Sequence, residues 1–119
     1  MVLRDKMFSV ECEEGSKTKI QLHPDYLIYQ AHFPGNPITP GVCIVQIIGE
    51  LAESRVGRQL SLHKVVNLKF LAPLSPVETP FADVIFTAIE EEGDTVRTKG
   101  MIMAGDRTMT KFTIIYCNK

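Results

Sequence analysis

Between residues 8 and 22 apolar and polar positions alternate with a period of two. Phe8, Val10 and Cys12 face one way and Ser9, Glu11 and Glu13 the other; Thr18, Ile20 and Leu22 then alternate with Lys17, Lys19 and Gln21. Gly15-Ser16 interrupts the pattern with turn residues, so the segment predicts a β-hairpin. From residue 25 to residue 40 no period holds. Aromatic residues and proline dominate, and Pro34, Pro37 and Pro40 rule out a helix before the last of them, which predicts a long, shaped loop. At Thr39-Pro40 the pattern changes again. Thr39 suits a helix N-cap and Pro40 the first helical position, where a missing N–H is no loss. Over residues 41–54 Val42, Cys43, Ile44, Val45, Ile47, Ile48, Leu51 and Ala52 cover most of a helix circumference, leaving Gln46, Glu50, Glu53 and Ser54 on one narrow stripe. A helix this apolar must be buried nearly all round, and Arg55, Gly57 and Arg58 supply a cationic last turn and a stop.

The remainder predicts strands over residues 65–71, 81–90, 95–104 and 107–116, joined by turns rich in proline, glycine and aspartate. Residues 81–89 are apolar on both faces, as a central strand over a buried helix would be. Hairpin, loop, helix and antiparallel meander make an α+β protein, with one long helix embraced by a curved antiparallel sheet.

Composition narrows this further. The 119 residues, 45% hydrophobic and 23% charged, leave room for one core, so a single domain over residues 1–119 is expected. A net charge of −1 without a basic run excludes a polyanion such as nucleic acid as partner. No stretch approaches the ~20 apolar residues of a membrane span, and Arg4, Asp5 and Lys6 interrupt any leader-like core, so a cytoplasmic protein is expected. Cys12, Cys43 and Cys117 are odd in number and far apart, which predicts reduced, buried thiols and no metal site.

The candidate chemistry lies in His32-Phe33-Pro34-Gly35-Asn36-Pro37-Ile38-Thr39-Pro40-Gly41-Val42, where one imidazole sits in a proline-stiffened segment running into a helix start. The first N–H groups of a helix lack internal acceptors and carry about half a positive charge, which suits a carbonyl oxygen becoming an oxyanion. An imidazole titrates near neutrality and can take or give a proton beside it. Base plus oxyanion site points to chemistry at the carbon next to a carbonyl; a lone loop histidine can equally be structural. Cys43 in the first helical turn is either a nucleophile or a packing residue. His23 and His63 read as turn or linker residues. Tyr26, Tyr29, Phe33 and Phe70 either line an acyl tunnel or belong to the core, and Arg55, Arg58 and Lys64 either meet an acidic carrier or form a solvated helix end.

The same run, followed by Ile44, Val45 and a polar residue at position 46, resembles the active-site signature of the β-hydroxyacyl-acyl-carrier-protein dehydratases. The likeness continues through Val66-Asn67-Leu68-Lys69-Phe70-Leu71-Ala72-Pro73-Leu74, which looks like that family's strand and turn after the helix. The resemblance implies a hot-dog fold, a homodimer or higher homo-oligomer, and no metal or organic cofactor. It implies His32 as the catalytic histidine and the Gly41 and Val42 amides as holders of a thioester carbonyl, with Phe33 beside the acyl chain. The substrate implied is a 3-hydroxyacyl chain on acyl carrier protein, in fatty-acid or related acyl-chain biosynthesis. Position 46 departs from the pattern: the dehydratases place an acidic residue there, contributed across the dimer interface, and this chain has Gln46. An amide orients and hydrogen-bonds but does not protonate a leaving hydroxyl. Glu50, one turn or about 5.4 Å further along the stripe, is the alternative carboxylate. A hot-dog thioesterase, with Glu50 activating water, and a non-catalytic acyl-binding subunit are the other readings.

Overall fold

The computed structural model describes residues 1–31 and 35–119. β1 (Phe8–Glu14) and β2 (Lys17–Leu22) form the expected hairpin, paired antiparallel from Phe8↔Leu22 to Glu14↔Lys17. The chain then leaves the sheet through α1 (Leu27–Ala31) and α2 (Gly41–Val56). It returns as β3 (Leu60–Phe70), β4 (Phe81–Glu92), β5 (Thr95–Ala104) and β6 (Arg107–Asn118). The strand order is β1-β2-β4-β5-β6-β3, antiparallel throughout. Because β2 and β3 lie near opposite edges, the helix between them must cross the face of the sheet. There Ile44, Ile47, Ile48 and Leu51 share one core with Ile20, Val84, Phe86, Val96 and Ile114. This is the α+β arrangement expected. No described helix is long and apolar enough to cross a membrane.

Contact between helix and sheet is close where glycine permits it. A Cβ on Gly49 would lie 2.8 Å from the Tyr116 ring, whose hydroxyl donates to the Val45 carbonyl at 2.7 Å. The helix ends as expected at Gly57, left-handed at φ 73°, with its N–H on the Glu53 carbonyl.

Four expectations need correction. Residues 27–31 form a helical turn inside the segment expected to be loop; five residues are too few to show a period, and no proline falls within them. Pro40, not Thr39, is the N-cap of α2, and no side chain caps it, because the Thr39 hydroxyl is turned to Tyr29. β3 begins at Leu60, so His63 lies exposed on a strand instead of in a linker; pairing with β6 extends it past the point where its own pattern is readable. Of the thiols only Cys43 is buried; Cys12 is exposed and Cys117 half-buried.

Candidate active site at the start of the long helix

Pro40 enters α2 extended, at φ −62° and ψ 147°, and its carbonyl accepts from the N–H groups of Cys43 and Ile44 at 3.0 and 3.1 Å. The N–H groups of Gly41 and Val42 meet no acceptor among the described residues. A proline cap has no side chain to satisfy them, so among the described residues they stand without a partner at the positive end of a sixteen-residue dipole. Beside them lies a cavity of about 370 Å³, walled by residues 38–41, Ile44 and residues 70–74. Its lining is mostly apolar, and the Phe70 ring closes against Gly41 so tightly that a Cβ there would sit 3.0 Å from it. Val42 is 70% exposed beside this mouth. His32 and Phe33 lie outside the described residues; by sequence they belong to the segment that delivers the chain to this helix start.

The polar stripe of α2 faces elsewhere. Gln46 and Glu50 lie beneath the first residues of the chain, and neither is among the residues lining the cavity. The Glu50 carboxylate, only 7% exposed, accepts from the N–H groups of Leu3 at 2.7 Å and Arg4 at 2.9 Å, and from the Gln46 amide at 2.8 Å. Gln46 Nε2 donates also to the Met1 carbonyl at 2.7 Å. Further along, Ser54 accepts from the Arg4 guanidinium at 3.0 Å, and Glu53 accepts from the Leu60 N–H at 2.8 Å. The stripe is thus a row of anchors, for main chain at Gln46, Glu50 and Glu53 and for the Arg4 side chain at Ser54. Carboxylates suit that task because N–H groups laid over an apolar helix have no other acceptor.

A sequence profile of the ApeI-like family, described as ApeI dehydratase, matches residues 9–99. The chain belongs to the ApeI-like dehydratase family. It is similar to the 3-hydroxyacyl-[acyl-carrier-protein] dehydratase FabZ of Wolbachia sp. subsp. Drosophila simulans, at 32% identity over 81 residues, 59% of this chain and 55% of that protein. The FabZ of Caulobacter sp. strain K31 is 29% identical over 91 residues, 66% of this chain and 53% of the relative. The chain therefore spans about half the length of the curated relatives it matches. A chain of the dehydratase heterocomplex ApeI:P from Xenorhabdus doucetiae superposes with a TM-score of 0.60 at 21% identity, over 91% of this chain and 93% of that one, and shows the shared hot-dog fold.

Within this dehydratase family member the arrangement explains why an amide suits position 46. A carboxylate there would face the Glu50 carboxylate and the Met1 carbonyl, three acceptors without a hydrogen between them. Gln46→Glu is therefore expected to lower stability by about 1–2 kcal/mol at neutral pH, without raising any dehydration rate. The introduced carboxyl, facing acceptors alone, is held protonated above its unfolded value of about 4.3. Its stabilising, proton-donating form prevails in acid and is lost as pH rises, so the deficit against wild type should widen from about pH 5 to about pH 8. Urea unfolding of both proteins across that range checks the result; a deficit independent of pH would disprove the account.

The remaining candidates fall to structural roles. Burial pushes the Cys43 thiol up, away from the thiolate a nucleophile needs. His23 Nε2 pairs with the Ser9 hydroxyl at 2.9 Å. Arg55 reaches Glu13 at 3.2 Å, the Gly15 carbonyl and the Thr18 hydroxyl, while Arg58 reaches Glu91 and the Gly93 carbonyl, so both guanidinium groups tie hairpin turns to the helix end. Tyr29 was legible only as an aromatic of the core or tunnel; its pairing with Thr39 carried no signal in the sequence.

Proposed function

We propose that this protein removes water reversibly from a 3-hydroxyacyl thioester carried on acyl carrier protein, within the cytoplasm. The observation that carries the reading is the pair of N–H groups on Gly41 and Val42, without an acceptor among the described residues, at the mouth of an apolar cavity, with His32 in the segment leading to them in sequence. In this reading the thioester oxygen accepts from both N–H groups, which lowers the energy of the enolate formed when His32 takes the α-proton. The C3–O bond then breaks, its electron pair leaves with oxygen, and the imidazolium returns the proton to that oxygen as water departs. The products are an enoyl thioester and water, and His32 is restored. In this reading Gln46, which does not line the cavity, holds the first residues of the chain and takes no part in proton transfer, while Phe33 and Phe70 are assigned to the acyl chain.

A homodimer completes the reading. Leu62, Val65, Val66 and Phe70 are exposed along β3, whose outer edge is unpaired among the described residues, and free strand edges recruit other strands. FabZ relatives carry acyl-carrier-protein dehydratase in their names, which supports the substrate class. The thioesterase reading loses its base, because the Glu50 oxygens are engaged by two main-chain N–H groups and an amide.

The test is incubation of the purified protein with a 3-hydroxyacyl-acyl-carrier-protein, measuring enoyl product and free thiol. Enoyl product without thiol release is expected. Thiol release would transfer the reading to hydrolysis. Neither product would favour a second reading, an acyl-binding chain whose acid comes from another subunit; the engagement of both Gln46 amide hydrogens and Glu50 within the chain favours it, as does the heterocomplex formed by its ApeI relative.

A further inference from the structure

Among the described residues the cavity beside α2 is walled by two short stretches, residues 38–41 with Ile44 on one side and residues 70–74 on the other. Exposure orders them by depth. Phe70 and Leu71 are half exposed and form the rim, while Ile44, Ala72 and Leu74 are buried and form the floor. Along α2 the lining stops at Ile44, and the next apolar residues, Ile47, Ile48 and Leu51, are packed into the core at 2% exposure or less. A chain entering at the rim cannot run on along the helix without displacing core side chains, and interiors this close-packed do not yield such space. Nor can the walls part. The Thr39 N–H donates to the Leu74 carbonyl at 2.8 Å, joining one wall to the other, and the Leu71 and Ala72 N–H groups donate to the Met109 carbonyl at 2.8 and 3.2 Å, fixing the second wall to β6.

Of the described lining side chains only Thr39 carries a polar group, and its hydroxyl is engaged by Tyr29 at 2.6 Å. A polar tail would be buried there without a partner, which is costly. At about 30 Å³ for each non-hydrogen group, the share of a water in the liquid and close to that of a methylene, 370 Å³ holds roughly twelve groups. The sulfur, carbonyl, C2, C3 and hydroxyl of a 3-hydroxyacyl thioester occupy about half of these, which leaves room for roughly eight carbons in all when filling is incomplete. We propose that the site selects short, unsubstituted hydrocarbon acyl chains of up to about eight carbons, with Ala72 and Leu74 setting the limit at the floor. That the ligand is an acyl thioester rests on the dehydratase reading; the length it can have is a property of the walls.

The test titrates the full chain with saturated acyl-pantetheine thioesters graded from butanoyl to tetradecanoyl, followed by ¹³C-methyl NMR of the isoleucine and leucine side chains. Affinity is expected to rise about fourfold for each methylene as far as octanoyl and to level or fall beyond it. Leu74→Ala should move that break to chains about two carbons longer, and Ala72→Val, which fills the floor, to chains about two carbons shorter, with thermal unfolding to show that each variant folds. The two variants act in opposite directions, so either one alone carries the test. Adipoyl-pantetheine, with a carboxylate at its end, should bind at least about tenfold more weakly than hexanoyl-pantetheine. Affinity that keeps rising to tetradecanoyl, a break that stays in place in a folded variant, equal binding of the adipoyl and hexanoyl thioesters, or no binding at any length overturns the proposal. The matching 3-hydroxyacyl thioesters are assayed for enoyl product in parallel. Length-limited binding without enoyl product fails the dehydratase reading alone, whereas enoyl product formed as fast from the longest chains as from hexanoyl length overturns the limit and leaves that reading standing.

Discussion

Enoyl thioester formation is expected to fall about a thousandfold in His32→Ala, with binding of a non-reacting acyl thioester analogue nearly unchanged. The α-proton of a thioester is a weak acid, and its removal needs a base that is unprotonated near neutral pH yet can return the proton in the next step. Among the residues near the helix start in sequence, only the imidazole meets both conditions. Affinity should survive because the proposed reading gives the oxyanion to the main-chain N–H groups of Gly41 and Val42 and the acyl chain to the cavity, neither of which depends on the ring. His32→Gln should lose as much, since an amide of similar reach cannot carry the proton. Steady-state formation of the enoyl product, with circular dichroism to show that the variants fold, decides the matter. Retention of more than a tenth of the wild-type rate in His32→Ala would refute the assignment of the base.

Gly100→Ala should lower stability by more than about 4 kcal/mol and leave little folded protein. A Cβ at this position would lie 1.9 Å from the Ile85 carbonyl oxygen and 2.9 Å from the Phe112 ring. The first of these is main chain, in a strand paired on both sides, and cannot move away. Gly100 pairs with Phe86 where the β4–β5 register shifts between Phe86 and Ala88, so a bulge brings the β4 main chain against β5. Phe86 and Phe112 meet edge to face at 5.9 Å in the core beneath. Bending of the sheet at this point therefore depends on a residue without a side chain. Soluble yield and thermal unfolding of Gly100→Ala test this; a variant melting within a few degrees of wild type would show that the two strands can separate locally.

Those two residues differ in how they were legible. His32 stood out because its neighbours are Pro34, Pro37, Pro40 and the helix signals after them, all close in sequence. Gly100 sits within an alternating strand pattern, and nothing near it announces the approach of Ile85.

The same division runs through the molecule. Local order determined the hairpin through its period of two and Gly15, the limits of β5, the course of α2 and its glycine stop, and the α+β class, because each depends on residues within a few positions of one another. Tertiary structure alone decided what the polar side chains do. The Thr39 hydroxyl, placed by sequence at the helix cap, goes to Tyr29 instead. Gln46 and Glu50 could be read as a face of the helix but not as its use, since their partners Met1, Leu3 and Arg4 lie 45 to 47 residues away in the chain. Periodicity records which side of an element is buried; which donor meets which acceptor is settled only when distant segments pack.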